Sequence, residues 1–246
     1  MSNHAVVLAA GKGTRMKSDL AKVLHPLAGK PLLEHVLSQV RKLDPGTVVV
    51  VVGHQAEQVT AVATAFGART VLQSEQLGTG HAVQQAEPLL GAADGVTVVL
   101  SGDVPLLRAE TIQRLLDETR RAGAAAGVLT AIAEDPTGYG RILRDSQDHL
   151  VGIVEHKDAT AAQRAVREYN TGTYCFDNRL LWPALAQVGS DNAQGEFYLT
   201  DVIGILVRQD HAVVGVVCPD ERETRGVNRP EDLTQVELDL EARRDG

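Results

Sequence analysis

The stretch that decides the fold lies near the start of the chain, at residues 8–22, LAAGKGTRMKSDLAK. It continues an apolar run, residues 5–10, which predicts a buried parallel strand that leads into a glycine-rich turn. Backbone N–H groups in such a turn can converge on an anion. The turn carries one acid, Asp19, and four cations: Lys12, Arg15, Lys17 and Lys22. The stretch therefore predicts a phosphate-binding loop.

Two familiar phosphate loops do not match this stretch. A dinucleotide-binding fingerprint needs a third glycine at position 16, where Met16 stands. A Walker A loop needs Gly-Lys followed by Ser or Thr, where the sequence has Met16, Lys17 and Ser18. The alternative is an ordinary strand-to-helix turn with solvated lysines. The clustering of cations directly after the first strand weighs against that alternative.

The composition narrows the class of protein. The chain has 246 residues, 43% of them hydrophobic, which is enough for one large α/β domain or two closely joined lobes. A net charge of -8 and 3% aromatic residues predict no nucleic-acid partner and no anionic-membrane partner. A small anionic ligand in a local basic pocket remains compatible with these values. The oligomeric state stays open.

Two further features predict a cytoplasmic location. Cys175 and Cys218 are isolated, without metal or redox spacing, so we expect buried free thiols in a reducing compartment. The N-terminus lacks the pattern of a signal peptide, and no apolar run approaches the roughly 20 residues of a membrane span.

Strands and helices alternate along the first half of the chain, which predicts a doubly wound α/β fold. The predicted strands are 5–10, 47–53, 69–73 and 96–101, and the predicted helices are 31–42, 55–66, 79–90 and 110–123. After residue 127 the pattern changes to short β runs at 128–133, 140–143, 150–155 and 170–176. We expect these runs to form a smaller mixed-sheet lobe that covers the ends of the first sheet. A helix at 198–208, a strand at 212–217 and a charged helix at 230–244 follow.

Ligands of open parallel sheets bind beyond the carboxyl ends of the strands, so the residues that follow each strand are candidates. Gln73 follows the third strand, and its donor and acceptor suit the imide edge of a pyrimidine; the alternative is a surface amide. Asp103 follows the fourth strand and suits Mg²⁺, which prefers one or two carboxylates plus substrate oxygens. A turn or cap aspartate is the alternative there. We expect His81 to open a helix rather than bind a metal.

Seven motifs, in chain order, together resemble the sugar-nucleotidyltransferase family. Within that family the match is best with the uridyltransferase domains of bifunctional bacterial enzymes that make UDP-N-acetylglucosamine. The motifs are LAAGKGTRM (8–16) with Lys22, QLGTGHA (76–82), GDVP (102–105), DPTGYGR (135–141), IVEHKDA (153–159), NAQGE (192–196) and GVN (226–228). The first motif alone marks only the wider nucleotidyltransferase superfamily, whereas QLGTGHA and IVEHKDA are much more specific.

The resemblance implies an α/β fold with a Rossmann-like doubly wound sheet, mixed but mainly parallel. It implies a nucleotidyltransferase domain at 1–228, with a β-rich sugar-binding lobe at roughly 127–200, and a C-terminal helix at 229–246. The implied reaction is Mg²⁺-dependent transfer of uridylyl from UTP to N-acetylglucosamine 1-phosphate. Another sugar phosphate, another nucleotide or a non-catalytic binding module are the alternatives.

The resemblance also implies a role for particular residues. The nucleotide would lie against Leu8, Ala9, Ala10, Gly11, Gly13, Gln73, Gly78 and Thr79. Arg15 and Lys22 would act on the triphosphate, and Asp103 and Asn228 would bind Mg²⁺. The amino sugar would be held by Gly140, Glu155, Asn170 and Thr200. From local sequence alone, Asn228 could instead be a cap of the terminal helix.

Two departures from the family pattern stand out. Ser101 occupies a place where some members have an aromatic residue near the nucleotide. The hexapeptide β-helix that forms the second domain of these bifunctional enzymes has no counterpart in this sequence, which leaves open a truncated or a natural single-activity protein.

Overall fold

The computed structural model describes residues 2–244. In chain order, the strands are β1 (Asn3–Ala9), β2 (Pro26–Leu27), β3 (Lys30–Pro31), β4 (Thr47–Val52), β5 (Arg69–Leu72), β6 (Val96–Ser101), β7 (Ala126–Ile132), β8 (Arg141–Arg144), β9 (Leu150–Val154), β10 (Glu168–Asp177) and β11 (Val213–Val217). The α-helices are α1 (Leu32–Arg41), α2 (Ala56–Ala65), α3 (Thr79–Gln84), α4 (Glu87–Leu90), α5 (Ala109–Arg121), α6 (Ala161–Arg164), α7 (Asn178–Leu185), α8 (Asp201–Arg208) and α9 (Pro230–Arg244). The predicted α/β class is confirmed.

The central sheet has the strand order β11-β7-β10-β6-β1-β4-β5. β1 lies between β4 and β6 and is parallel to both, and β4 is parallel to β5. β10 runs antiparallel to β6 and β7, so the sheet is mixed but mainly parallel, as predicted. Leu8 is in register with Val51 on one side and with Ser101 on the other. The loops that follow these strands therefore start at the same edge of the sheet.

Apolar side chains cover both faces of this sheet. Residues 48–52 are five consecutive valines and all are buried, which is why alternation is absent there. Val50 belongs to the core on one face, and its neighbours Val49 and Val51 belong to the core on the other face.

Cys175 and Cys218 are buried free cysteines, as expected. Within residues 2–244, no helix combines the length and the apolar character that a membrane span requires.

The strands expected in a separate lobe are partly strands of the central sheet. Tyr174 in β10 pairs with Val99 in β6 and with Val128 in β7, so β7 and the end of β10 extend the main sheet. The β8–β9 hairpin lies off this path and is attached to β10 through the pairing of Tyr169 with Arg141. The expectation that these runs form a smaller mixed-sheet lobe over the ends of the first sheet was wrong for β7 and β10, which are strands of the main sheet. β7 is buried on both faces, as the parallel strands are. The division at residue 228 stays a prediction.

The helix predicted at 79–90 is two helices, α3 and α4. Pro88 explains the break, since its ring would clash with the carbonyl of the residue four positions earlier and it has no N–H to donate. The predicted terminal helix corresponds to α9, and residues 245 and 246 of the predicted span lie outside the described residues.

Gly53, directly after β4, allows two loops to approach closely at the carboxyl edge. A Cβ atom there would lie 2.7 Å from the carbonyl oxygen of Ala10. We expect Gly53→Ala to lower the free energy of unfolding by about 1–3 kcal/mol, because the backbone of Ala10 must move. Gly152→Ala is the matched control, since a Cβ there meets nothing within 4 Å. Urea unfolding measures both, and equal losses would contradict the argument.

Candidate active site

A cavity of about 270 Å³ lies at the carboxyl edge of the sheet, where β1, β5 and β6 end. Seven of the eight residues predicted to hold the nucleotide line it, together with Lys22 and Asp103: Leu8, Ala9, Ala10, Gly11, Gln73, Gly78 and Thr79. Sequence reasoning assigned no role to four other lining residues, Val23, Gln76, Ala82 and Glu196. Gln76 and Ala82 belong to the QLGTGHA motif and Glu196 ends the NAQGE motif, so these motifs were available signals.

Gly13 is the predicted nucleotide residue that does not line the cavity. Its φ is 63°, and a Cβ atom there would lie 2.6 Å from Cβ of Lys22. Gly13 thus lets the stem of Lys22 pack against the loop. Gly13 therefore acts by positioning Lys22. In contrast, Gly11 lines the cavity and has open space beside its backbone.

Four predicted site residues from distant parts of the chain meet beside the cavity. Lys22 Nζ forms an ion pair with Asp103 Oδ2 and donates a hydrogen bond to Asn228 Oδ1 at 3.2 Å. Arg15 Nη2 donates to the same Asn228 oxygen at 2.9 Å. The backbone N–H of Val227 donates to the carbonyl oxygen of Asp103 at 2.9 Å, which holds the two segments together. We call Arg15, Lys22, Asp103 and Asn228 the polar cluster.

The side chain of Asn228 does not cap the terminal helix. Asp232 does so instead, because its Oδ2 accepts from the N–H groups of Asn228 at 2.8 Å and Arg229 at 2.9 Å. The Asn228 amide oxygen is left for the two cations. Sequence reasoning missed Asp232, although Pro230 at the first helical position followed by an acid is a recognisable start signal.

The polar cluster offers oxygen ligands that suit a hard divalent ion. One carboxylate and one amide oxygen, from Asp103 and Asn228, both contact the positive charge of Lys22 Nζ. Among residues 2–244 there is no group of three or more His, Cys, Asp or Glu side chains that could form an all-protein metal cage. A two-oxygen set fits Mg²⁺, which keeps several waters and binds substrate phosphates.

Gln73 is buried, and its amide is already engaged. Nε2 donates to the carbonyl oxygen of Gly78 at 3.1 Å and lies 3.1 Å from His81 Nδ1. Oε1 has no hydrogen-bond partner within the described part of the chain. The expectation that Gln73 offers a ligand both a donor and an acceptor stays a prediction, with one amide hydrogen already given to Gly78. Gln73 is 3% exposed, so the alternative of a surface amide is wrong.

The loop at 78–80 is fixed by a second loop at 197–199. Gly78 has a φ of 111°, and a Cβ there would lie 2.6 Å from the carbonyl oxygen of Phe197. The N–H of Gly80 donates to that same oxygen at 2.7 Å. The hydroxyl of Thr79 accepts from the N–H of Leu199 at 3.0 Å. Glycine at position 78 is required by this close approach, and the pairing explains how Glu196 reaches the cavity.

The four residues predicted to hold the sugar also lie together. Thr200 Oγ1 donates to Glu155 Oε1 at 3.1 Å, and a Cβ on Gly140 would lie 3.5 Å from Glu155 Oε2. The N–H of Asn170 donates to the carbonyl oxygen of Gly140 at 2.9 Å. Gly140, Glu155, Asn170 and Thr200 form what we call the sugar-side cluster.

Asn170 is held by a bulge in β10. The register with β7 shifts between Asn170 and Thr173, and Asn170 Oδ1 accepts from the N–H of Gly172 at 3.0 Å. Asn170 Nδ2 donates to the hydroxyl of Tyr174 at 2.6 Å. A Cβ on Gly172 would lie 3.4 Å from Ser101 Oγ, which lines the cavity. The bulge therefore places the sugar-side cluster next to the cavity, and Tyr174 is a supporting residue that sequence reasoning missed.

Burial raises the pKa of Glu155, and the hydrogen bond from Thr200 opposes that rise. Nearby carboxylates, Asp201, Asp158 and Glu196, raise the pKa further. An acid whose pKa is higher in the folded state than in the unfolded state destabilises the fold when it ionises. The free energy of unfolding therefore falls as pH rises and the acid loses its proton. The protein thus keeps a half-buried acid here at the expense of stability.

We expect Glu155→Gln to leave the free energy of unfolding at pH 8 equal to or above that of the unchanged protein. Glutamine retains an oxygen for Thr200 without the charge, and the gain should shrink as pH falls and Glu155 becomes protonated. Urea unfolding at pH 8 and pH 5 measures this. Glu57→Gln, at an exposed site on α2, is the control. A lower stability for Glu155→Gln at pH 8 would show that the carboxylate is stabilising.

Three comparisons place this geometry among known proteins. Residues 5–199 match the model of the MobA-like NTP transferase domain. The chain is 52% identical over 241 residues to a bifunctional protein GlmU of Bacillus licheniformis, covering 97% of this chain and 52% of that protein. It is 53% identical over 240 residues to a bifunctional protein GlmU of Brevibacillus brevis, covering 98% of this chain and 52% of that protein. The chain thus spans about half the length of these relatives.

A solved structure of UDP-glucose pyrophosphorylase complexed with UDP-glucose superposes with a TM-score of 0.75. The alignment covers 99% of this chain and 100% of that one, at 14% sequence identity. At this identity the likeness shows the fold alone, and it agrees with the mixed, mainly parallel sheet.

Proposed function

Because this chain belongs to the family of MobA-like NTP transferase domains, we propose that it transfers uridylyl from UTP to N-acetylglucosamine 1-phosphate. The products are UDP-N-acetylglucosamine and pyrophosphate. The observation that carries the proposal is the polar cluster, which sets two cations, a carboxylate and an amide oxygen beside a cavity at the carboxyl edge. The identity of about half to proteins named GlmU supports the choice of nucleotide and sugar.

The proposed reaction is a single displacement at phosphorus. An oxygen of the sugar phosphate forms a bond to the α-phosphorus of UTP, and the bond from that phosphorus to the bridging oxygen of pyrophosphate breaks. A phosphate monoester is largely dianionic at neutral pH, with a second pKa of about 6, so the attack needs no general base. The site must instead align two anions that repel each other and compensate the charge that develops.

Arg15 and Lys22 would supply that compensation. Both side chains converge on Asn228 Oδ1, so their positive charges are held at one place without substrate. The stem of Lys22 is fixed against Gly13, which limits the freedom of the ammonium group. Preorganised cations of this kind cost little reorganisation when negative charge shifts to the departing pyrophosphate.

Asp103 and Asn228 would hold the divalent ion. When bound there, Mg²⁺ would neutralise phosphate charge and orient the triphosphate. The carboxylate of Asp103 contacts Lys22 in the structure, so it would turn from the ammonium group toward the ion. Asn228 would contribute a neutral oxygen, which adds a ligand without adding repulsion toward the phosphates.

The sugar-side cluster would hold N-acetylglucosamine 1-phosphate. The carboxylate of Glu155 has one oxygen bonded to Thr200 and can accept hydrogen bonds from sugar hydroxyls. Gly140 leaves room beside that carboxylate, since a side chain there would lie against it. Asn170 is held in place by Tyr174 and by the bulge, which suits recognition of the N-acetyl group.

Turnover with a panel of substrates tests the proposal directly. We expect pyrophosphate release from UTP with N-acetylglucosamine 1-phosphate, because the polar cluster would then bind the triphosphate and the sugar-side cluster would bind the sugar phosphate. We expect kcat/KM to fall by at least about tenfold with glucose 1-phosphate or with ATP, since buried polar groups would lose partners. Equal rates across the panel would contradict the assignment of substrates. If no pair of substrates released pyrophosphate, the proposed transfer activity would be contradicted.

Lys22→Ala tests the role of the cation in the displacement. We expect kcat to fall by about a hundredfold and the KM for UTP to rise less, because the charge on the leaving pyrophosphate is largest in the transition state. Lys42→Ala removes an exposed lysine just after α1, whose ammonium group donates a hydrogen bond to Gln39, and it should have no effect. An unchanged kcat with a raised KM would restrict Lys22 to binding.

A further inference from the structure

Arg141, the last residue of the DPTGYGR motif, is a buried cation to which the proposed function gives no role. It is 1% exposed, and no ion pair in the described part of the chain includes it. Nη1 donates to the carbonyl oxygen of Tyr139, Nη2 lies 3.5 Å from His156 Nδ1, and Nε has no hydrogen-bond partner within residues 2–244. A buried charge without a carboxylate partner lowers stability. This indicates that Arg141 does more than stabilise the fold.

The peptide unit between Tyr139 and Gly140 is the group that Arg141 holds. The units on either side are fixed by backbone hydrogen bonds. The N–H of Tyr139 donates to the carbonyl oxygen of Pro136 at 3.1 Å, and the carbonyl oxygen of Gly140 accepts from the N–H of Asn170 at 2.9 Å. Among the described residues, the unit between them has one hydrogen bond, which comes from Arg141. Gly140 has no Cβ, so this peptide unit can flip once that bond is lost.

The N–H of Gly140 is a donor at a buried residue, and it has no hydrogen-bond partner within residues 2–244. A trans peptide directs its C=O and N–H to opposite sides, so this N–H points away from the Arg141 guanidinium. Opposing residues of a regular antiparallel pair exchange two backbone bonds, whereas Gly140 and Asn170 make one, from the N–H of Asn170. The unpaired N–H therefore lies on the side of Asn170, within the sugar-side cluster.

Asn170 adds a second free donor at this place. Its Nδ2 carries two hydrogens, of which one goes to the hydroxyl of Tyr174. Its Oδ1 already accepts from the N–H of Gly172. The sugar-side cluster thus offers two N–H donors here, one from Gly140 and one from Asn170. Such a pair favours a ligand group that only accepts, and a carbonyl oxygen can accept two hydrogen bonds.

We propose that Arg141 is a positioning residue that favours an N-acetylated sugar by holding the N–H of Gly140 toward the sugar-side cluster. The carbonyl of an acetamido group accepts without donating, whereas the hydroxyl at the same place in glucose does both. The inference rests on the proposed function, because it assumes that the sugar-side cluster binds the sugar.

Loss of the guanidinium should weaken the preference for the acetamido group. The carbonyl oxygen of Tyr139 would lose its partner, which removes the reason for its present direction. In the flipped peptide unit this oxygen would face the sugar-side cluster in place of the Gly140 N–H. It would repel the acetamido carbonyl, whereas a hydroxyl could donate to it. The change therefore acts on the choice of sugar and leaves the contacts to the nucleotide unchanged.

Equilibrium titration of UDP-N-acetylglucosamine, UDP-glucose and UTP tests this without any turnover. We expect Arg141→Met to lower the ratio of UDP-N-acetylglucosamine to UDP-glucose affinity by about tenfold, and to change UTP affinity by less than about twofold. Methionine fills similar space and leaves no charge behind. Arg141→Lys should keep most of the ratio, because its ammonium group can donate to Tyr139. If Arg141→Met does not fold, Arg141→Gln is uncharged, polar and too short to reach that carbonyl.

Arg144→Met is the matched control on the same strand. Arg144 Nη2 lies 2.8 Å from Glu168 Oε1, and this ion pair is at the other end of β8 from Gly140. Its loss should lower the free energy of unfolding without altering the ratio of the two affinities. An equal fall of the ratio in Arg144→Met would show that any damage to β8 alters the choice of sugar, and would overturn the inference.

Three other results would also overturn it. Equal losses of both nucleotide-sugar affinities in Arg141→Met would make Arg141 structural. An unaltered ratio would show that the Gly140 N–H keeps its direction without the guanidinium. Equal affinities in the unchanged protein would remove the preference itself. Parallel assays of nucleotide-sugar formation separate this from the proposed function: selective binding with no product would overturn only the function, and product with an unaltered ratio in Arg141→Met would overturn only the inference.

Discussion

The ion pair between Lys22 and Asp103 joins the loop after β1 to the loop after β6, and the site depends on it. The two side chains are 18% and 14% exposed, so each would lose most of its hydration without a partner. Removing one partner would leave the other charge partly buried and unpaired, which lowers stability. The pair keeps a cation and a carboxylate in place before any phosphate or metal ion is present.

The sheet makes this pairing possible. β1, β4 and β6 are in parallel register, so the loops after them begin at one edge, and Gly53 and Gly102 let the backbone after β4 and β6 approach that of β1 closely. Asn228 lies near the C-terminal end of the chain, and its neighbour Val227 positions it, because the N–H of Val227 donates to the carbonyl oxygen of Asp103. The sugar-side cluster sits next to the cavity because a bulge interrupts β10. Backbone geometry thus sets where each charge lies, and the side chains then compensate one another.

The sequence alone predicted the parts of the site that directly follow strands. The glycine loop, Gln73 and Asp103 each stand directly after an apolar run, and a parallel sheet brings such positions together. Asn228 does not follow a strand, and only the resemblance of its GVN motif to the family indicated it. Because Asn228 is far from Arg15 along the chain, the sequence does not predict their contact. The direction of the Gln73 amide depends on the carbonyl oxygen of Gly78, and the support of Asn170 depends on Tyr174 across a bulge. Contacts of this kind arise from tertiary packing, which a one-dimensional pattern does not encode. The same limit explains why β7 looked like part of a separate lobe.

The central claim is the proposal that Asp103 would exchange Lys22 for a divalent ion when UTP binds. Calorimetric titration of UTP with and without Mg²⁺, on the unchanged protein and on Asp103→Asn, tests it most directly. The account predicts that Mg²⁺ tightens UTP binding to the unchanged protein, and that Asp103→Asn abolishes this tightening while metal-free affinity is kept or increased, because Lys22 is freed and a negative charge is removed. If Mg²⁺ tightened UTP binding to Asp103→Asn as much as to the unchanged protein, the carboxylate would not hold the ion and the account would be wrong.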